Sequence, residues 1–330
     1  MPEIKILTEA ELRDLVALDL AAINCVERGF AALAAGTVEM PPILSMGIHE
    51  NNGEVDVKTA HISGAESFTI KMSPGFYDNP RIGLPTTNGI MVVFSARTGQ
   101  VEALLLDNGY LTDTRTAAAG AVAARHLAKE DATRVAVFGS GAQARLQLAA
   151  IHQVRPLTHV DVWARNADRA ATAAQDISDL LGITAEVADS AETAVRRADI
   201  IVTTTPAKTP LVFADWVNPG QLVIAMGSDQ GDKCEIDPAL IAKADHYIPD
   251  SLSQTRLMGE MRSAIAAGLA VADADYVELG DVVAGKLAGY DPANSLTICD
   301  LTGTGVQDTA IATLARQRAE AAGKGTTFTS

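Results

Sequence analysis

The sequence predicts the α/β fold class, with a doubly wound parallel sheet preceded by a second region of α+β character. Three observations predict it. From Arg134 onward, apolar runs of four or five residues alternate with turns and helical patterns, the rhythm of a parallel sheet covered by helices. Before Asp107 the extended runs follow one another closely and read as a strand-rich sheet with flanking helices. Finally, the run Val135 to Phe138 passes straight into Gly139 and Gly141 and then into a helical pattern, as at the entrance of a nucleotide-binding sheet. A chain of 330 residues at roughly 150 residues per domain leaves room for two such cores.

The elements follow in order. Thr8 with Glu11 three residues on makes a capping-box pattern, and the apolar positions from Leu12 to Leu33 read as two short helices or one bent one. The chain is therefore expected to open helically. Extended runs come next at Val55 to Lys58, Ser67 to Met72, Gly89 to Ser95 and Val101 to Leu106, with Ala96 to Gly99 as a hairpin turn between the last two. Thr112 to Ala128 is an alanine-rich helix leading into the second domain. There, strands are expected at Val135 to Phe138, Val160 to Trp163, Ile200 to Thr203, Leu222 to Ala225 and Leu296 to Asp300. Helices are expected after Gly141, from Asp168, at Pro238 to Ala244, around Leu252 to Gly268, and from Gly305 to about Ala322. Gly323 to Ser330 reads as a frayed tail.

Composition narrows the function classes. The 26 Lys and Arg against 41 Asp and Glu give a net charge of −15, which excludes a basic nucleic-acid binder and is unfavourable for an anionic membrane surface. No window reaches about 18 uninterrupted apolar residues, so a membrane role has no support. The acidic residues of the first twenty positions do not suit a signal peptide, and three cysteines without a CxxC pair argue against a disulfide framework and a thiolate metal site. A cytoplasmic protein is expected. The six histidines form no HExxH and no close pair, so no metal is expected.

The strongest motif is Gly139-Ser140-Gly141-Ala142-Gln143-Ala144, a GxGxxA pattern between a strand and a helix. Gly139 permits the tight turn, Gly141 lets the backbone approach a pyrophosphate, and Ala144 lets the helix pack closely on the strand. The phosphates would sit on the helix N-terminus, where unpaired N–H groups and the dipole favour an anion. A glycine-rich turn without ligand is the competing reading. Where a preference for NAD would place an acid at the end of the second strand, the sequence has Trp163-Ala164-Arg165-Asn166. Arg165 suits a 2′-phosphate and Asn166 adds a neutral donor, so NADP(H) is favoured over NAD(H). A solvated loop arginine is the alternative.

Two cations interrupt apolar or small-residue patterns. Lys71 lies in a strand that otherwise looks buried, and Arg115 stands at the head of the alanine-rich helix. A buried cation needs a partner, and a substrate carboxylate would serve both. Pairing with Asp113 or Asp56, or exposure, explains them equally well. Asp229 follows the strand Leu222 to Ala225 at the edge where open α/β sheets hold ligands, placed to move a proton at a reacting nitrogen or to hold a developing iminium. An N-cap or Asx turn is its competing reading. Asp308 follows the glycine-bearing turn Thr302 to Gly305, where helix capping alone could account for it.

Taken together, Ile70-Lys71, Leu111-Thr112-Asp113-Thr114-Arg115-Thr116, the Gly139 to Ala144 loop, Met226-Gly227-Ser228-Asp229 and the Thr302-Gly303 to Asp308 turn resemble the ornithine cyclodeaminase and mu-crystallin family over nearly the whole chain. Met40-Pro41-Pro42, Val55 to Lys58 and the run from Leu105 to Asp113 are most similar to its ectoine-utilisation members. The resemblance implies a substrate-binding and dimerisation domain over residues 1–120, completed by a C-terminal helix over 306–330. It implies a Rossmann NAD(P)-binding domain over 121–305, and a homodimer. It puts the substrate carboxylate on Lys71 and Arg115, the catalytic role on Asp229 with Lys71, and a substrate contact at Asp56. The expected cofactor contacts are Gly139 to Gln143, Arg165, Asn166, Thr204, Met226, Gly227, Thr302 and Gly303. One departure matters: Pro41 to Met46 lacks the further carboxylate-binding arginine of the cyclodeaminases, which counts against ornithine, and Lys58 is the residue that could supply the missing cation.

The activity implied is an NAD(P)-dependent oxidoreductase acting on the carbon–nitrogen bond of a small amino acid or its imine. Cyclodeamination of ornithine to proline is the first alternative. Ring size weighs against cyclisation for 2,4-diaminobutyrate, the substrate expected in ectoine breakdown, because that ring would have four members. A non-catalytic NADPH-binding protein of the mu-crystallin kind is the second alternative, and the joint presence of Lys71, Arg115 and Asp229 argues against it.

Overall fold

The computed structural model describes residues 3–329, which divide into two compact units. One comprises the chain up to Arg115 together with the stretch from Thr304 onward; the other runs from Thr116 to Gly303.

The first unit is built on an eight-stranded sheet. Its chain runs β1 (Glu3–Thr8), α1 (Glu9–Leu15), α2 (Leu20–Ala34), β2 (Val38–Glu39), β3 (Leu44–Ile48), β4 (Gly53–Ile62), β5 (Ser67–Phe76), β6 (Ile90–Ser95), β7 (Val101–Leu106) and the start of α3 (Tyr110–Leu127). The capping box at Thr8 and Glu11 is formed in both directions and starts α1, and two helices rather than one bent helix cover Leu12 to Leu33. The chain does not open helically, however. Glu3 to Thr8 is a strand, parallel to β7, and it has the alternation of Ile4, Ile6 and their neighbours that a sheet requires. β4, β5, β6 and β7 form an antiparallel series, with Gly99 at φ +72° in the turn between the last two.

The second unit is a seven-stranded sheet, all of whose pairings are parallel. It contains β8 (Arg134–Phe138), α4 (Ala142–His152), β9 (His159–Trp163), α5 (Ala167–Leu181), β10 (Thr184–Val187), α6 (Ala191–Arg197), β11 (Ile200–Thr203), β12 (Leu222–Ala225), α7 (Pro238–Lys243), β13 (His246–Pro249), α8 (Leu252–Met258), α9 (Glu260–Ala266), α10 (Leu279–Val283) and β14 (Thr297–Asp300). The strand order β10-β9-β8-β11-β12-β14-β13 reverses direction at β8, the doubly wound arrangement expected. Its core is aliphatic: Ala136, Ile201, Val223 and Ile298 are fully buried along the central strands. The stretch Leu252 to Gly268 is two helices that meet at Gly259, whose backbone is extended and where a Cβ would meet Asp300 Oδ2 and the Thr255 backbone at 2.7 Å.

The chain then returns to the first unit as α11 (Gly305–Ala322) and β15 (Thr326–Thr329). β15 pairs antiparallel with β1, so the stretch read as a frayed tail is an edge strand as far as Thr329, Ser330 lying outside the described residues. Its exposed Thr-rich sequence carries no apolar alternation to mark it. α11 packs on α2 and on β4 and β5. The face of β5 under it carries Ser67, Thr69 and Lys71, all buried, while Phe68, Ile70 and Met72 point to the opposite face.

Candidate active site

In the first unit the sheet and α11 bring the isolated cations together. Lys58 and Lys71 are direct cross-strand neighbours on β4 and β5, both buried, and Arg115 reaches them from α3. Into this cluster the first turn of α11 inserts Asp308, whose side chain is fully buried. Asp308 Oδ1 accepts from Lys71 Nζ at 3.1 Å and from Arg115 Nε at 2.9 Å, and Arg115 Nη1 donates to Gln307 Oε1 at 3.0 Å. Capping therefore does not account for Asp308. Gly305 makes its position possible, since any Cβ there would collide with the Thr59 carbonyl of β4.

Arg115, Lys71 and Lys58 all act on the Asp308 carboxylate, and a further acid, Asp107, is tied to the Leu111 N–H at 2.9 Å with its pKa raised by burial. Burial, then Arg115, pulls the Lys71 ammonium down to about 7, Asp308 opposing. For Asp308, burial pushes upward, but Arg115, Lys71 and Lys58 together outweigh it and hold the carboxyl below its usual range. Asp308 Oδ2, Gln307 Nε2, Thr112 Oγ1 and Asp107 Oδ1 are all buried without a hydrogen-bond partner. Each such atom costs about 1–3 kcal/mol unless something polar meets it. Asp56, two residues before Lys58, accepts from Ser45 Oγ at 2.6 Å.

In the second unit the glycine loop has the form a dinucleotide needs. Gly139 stands at φ +126°, where a side chain would also strike Thr204 Oγ1. Gly141 is the N-cap of α4; nothing lies within 4 Å of where its Cβ would be, and no side chain caps the helix. The open approach and the uncapped N–H groups fit a pyrophosphate. Ser140 is half-buried, Ala142 exposed, and Gln143 accepts from Gln147 Nε2 at 3.1 Å. Arg145 steadies the loop by donating to the carbonyls of Ser140 at 2.8 Å and Gly141 at 3.0 Å. Thr204 ties the end of β11 to the loop, its N–H and hydroxyl both donating to the Phe138 carbonyl. At the end of β9, Arg165 is exposed, and Asn166 caps α5 by accepting from the Arg169 N–H at 2.9 Å. The Asn166 carbonyl oxygen is thus committed to the helix. Thr302 and Gly303, after β14, are held by Asp250, which accepts from the Thr302 hydroxyl at 2.9 Å and the Gly303 N–H at 2.7 Å.

Asp229 lies half-buried in the turn after β12, its Oδ1 accepting from Lys233 Nζ at 2.6 Å. It is not an N-cap. Behind it sits Glu235, fully buried, which accepts from Thr203 Oγ1 at 2.7 Å, from the N–H and hydroxyl of Thr205, and from the Gly227 N–H at 2.7 Å. One carboxyl thereby fixes the ends of β11 and β12 at the edge where such sheets bind ligands. Burial raises its pKa while these four donors act against the rise.

The model of the ornithine cyclodeaminase/mu-crystallin family matches residues 3–323. The chain belongs to this family. A Rhizobium meliloti protein named as a dehydrogenase is 58% identical over all of both chains. Among solved structures, the Thermococcus litoralis Δ1-pyrroline-2-carboxylate reductase, in complex with NADH and L-proline, superposes with a TM-score of 0.92 at 27% identity, covering 98% of this chain and 99% of that one. An archaeal alanine dehydrogenase dimer with bound NAD also gives a TM-score of 0.92, at 32% identity and 99% coverage of both.

Within this family framework, the sequence reading finds Lys58, Lys71 and Arg115 brought together in one unit, and the glycine loop and Asp229 on the other. It leaves Asp308 as a capping residue and misses Lys233, Glu235 and Asp107 altogether. Asp308 was findable in principle, as an acid one turn into a helix otherwise poor in charge until Arg316. Glu235 and Lys233 sit in an ordinary charged loop sequence and carry no such mark.

Proposed function

We propose that this protein is an NAD(P)(H)-dependent oxidoreductase acting on the carbon–nitrogen bond of a small amino acid or its imine. The observation that carries the reading is the buried pairing of Lys71 and Arg115 with the Asp308 carboxylate, Lys58 close by, with unsatisfied polar atoms of Asp308 and Gln307 beside it. Such a cluster is stabilised by an anion, and a substrate carboxylate is the anion that an amino or imino acid brings. Lys71 and Arg115 bind and orient that carboxylate, with Lys58 adding positive charge and Asp56 lying two residues along the same strand face. Gly139 to Gln143 hold the dinucleotide phosphates, with Thr204, Met226, Gly227, Thr302 and Gly303 shaping the edge of the sheet around the rest. When bound, the nicotinamide supplies or accepts a hydride at the substrate carbon. Asp229 holds the positive charge on the substrate nitrogen, or moves its proton.

NADP(H) is the preferred cofactor in this reading, because the end of β9 offers the exposed Arg165 and no carboxylate before Asp168. The protein is cytoplasmic, in keeping with three buried, unpaired cysteines. It acts as a homodimer through the open face of the first unit's sheet. A place in ectoine breakdown belongs to the same reading, since a four-membered ring disfavours cyclisation of 2,4-diaminobutyrate.

Purified protein incubated with a panel of 2-oxo acids plus ammonia, and with amino acids, tests the proposal when NAD(P)H absorbance and proline are followed in the same tubes. Net NADPH consumption with an oxo acid and ammonia is expected. Proline and ammonia from ornithine without net absorbance change would replace the proposal with cyclodeamination, and absence of turnover with tight NADPH binding would replace it with a binding role.

A further inference from the structure

We infer that Lys233 is a positioning residue for the reaction, holding the Asp229 carboxylate as the outermost point of a clasp that the returning segment 233–235 closes on the turn Gly227 to Asp229. The inference rests on the reading of Asp229 as the group that meets the substrate nitrogen. Three consecutive residues of the turn each have their own bond to the returning segment. The Gly227 N–H donates to Glu235 Oε2 at 2.7 Å, the Ser228 hydroxyl donates to the Lys233 carbonyl at 2.9 Å, and Lys233 Nζ donates to Asp229 Oδ1 at 2.6 Å. The segment is itself anchored. Arg262 of α9 donates to the Lys233 carbonyl at 2.8 Å, and the Glu235 N–H donates to the buried carboxyl of Glu260 at 2.7 Å.

Burial makes the outermost bond consequential. The Lys233 side chain is 10% exposed and that of Asp229 43%, so the ammonium lies inside and the carboxylate reaches outward. Lysine ordinarily does the reverse, burying its stem and sending its charge to water. An exposed ion pair would contribute little, but a pair whose ammonium lies this far from solvent is screened less and holds the carboxylate more firmly. The pair therefore fixes one carboxylate oxygen and leaves Oδ2 as the oxygen that faces a substrate N–H. Gly227 closes the remaining freedom, since a Cβ there would collide with the Thr205 carbonyl and come within 2.5 Å of the Glu235 carboxyl. No atom is transferred to Lys233; it acts only through Asp229.

A double-mutant cycle in the full-length protein tests this, using Lys233→Met, Asp229→Asn and the two combined, with steady-state kinetics and NADPH affinity by fluorescence. Lys233→Met is expected to lower kcat by about 10- to 100-fold, with KM for the oxo acid and Kd for NADPH changed by less than about twofold. In the Asp229→Asn background the same change is expected to cost less than about twofold. Lys233→Arg keeps the charge, is expected to recover part of kcat, and serves as the readout should the methionine variant fail to fold. Equal losses in both backgrounds, or a loss confined to NADPH affinity, would overturn the inference and make Lys233 a purely structural residue. Full turnover by Asp229→Asn alone would overturn the role of Asp229, and the clasp's role with it, whatever Lys233→Met does.

Discussion

Burial removes the Lys71 ammonium from water beside a second cation, Arg115, and the single carboxylate of Asp308 does not offset both, so its pKa falls to about 7. The consequence for binding has a definite sign. Below that value Lys71 carries its proton and can hold a carboxylate; above it the empty site is neutral there, and binding must first take up a proton. Affinity for an unreactive carboxylate such as propionate is therefore expected to be flat from about pH 6, where the ligand is ionised, to about 7, and to fall up to about tenfold per pH unit above that, with proton uptake by calorimetry in two buffers. Lys71→Met is expected to abolish the pH dependence along with most of the affinity. An unchanged profile in that variant would move the titration to another group. At the cofactor edge, Arg165→Ala is expected to weaken NADPH by about tenfold or more while leaving NADH within about twofold, measured by fluorescence titration; equal losses would show that Arg165 does not read the 2′-phosphate.

Among the elements, α11 couples fold and site most directly. Its first turn approaches β4 so closely that Gly305 has no room for a side chain, and three residues on it presents Asp308 to the cations. Gly305→Val is expected to push the helix start off the sheet, costing about 1–3 kcal/mol in denaturant unfolding and reducing turnover far more than the stability loss explains. Stability lost without a loss of turnover per folded molecule would separate the helix position from the site. The same elements mark how far the sequence was legible. β8, β11 and β12 are rich in Val, Ile, Leu and Ala and write a buried parallel strand in the sequence itself, β9 shows Val160, Val162 and Trp163 around Asp161, and the glycine loop follows from covalent constraints local to six residues. β10 and β15 were not legible, because edge strands paired on one side have little apolar pattern to show; β1, paired on both sides, was missed because its short Ile-Lys-Ile alternation runs directly into the capping box of α1. Lys71 and Arg115 stood out as cations in apolar surroundings, whereas their partner Asp308 lies 193 residues beyond Arg115 and is joined to it only by the fold.

At the scale of the whole molecule, the sheet of the first unit is two-sided in an unusual way. The helix-covered side holds the buried core residues Met91, Val93, Ala103 and Leu105 beside the polar Thr69, Lys71 and Lys58, and the other side is apolar too: Phe68, Ile70 and Met72 on β5 pair across to Phe94, Val92 and Ile90 on β6, and Val92 in turn to Leu104 on β7. The Phe68 and Phe94 rings stack at 5.3 Å. These apolar residues remain partly exposed in the single chain. A sheet with apolar residues on both faces is costly for a monomer and reasonable for a protomer, because a second copy can cover the open apolar face while the helices cover the other. A standard interface buries about 1,600 Å² in total, so a stable dimer needs an extended apolar face of this kind. Val92→Glu places a charge at the middle of this face without touching the helix side. It is expected to convert a dimer into a monomer in sedimentation velocity while leaving the circular dichroism spectrum and NADPH binding intact. A variant that remains dimeric would place the interface elsewhere and leave the apolar face without an occupant.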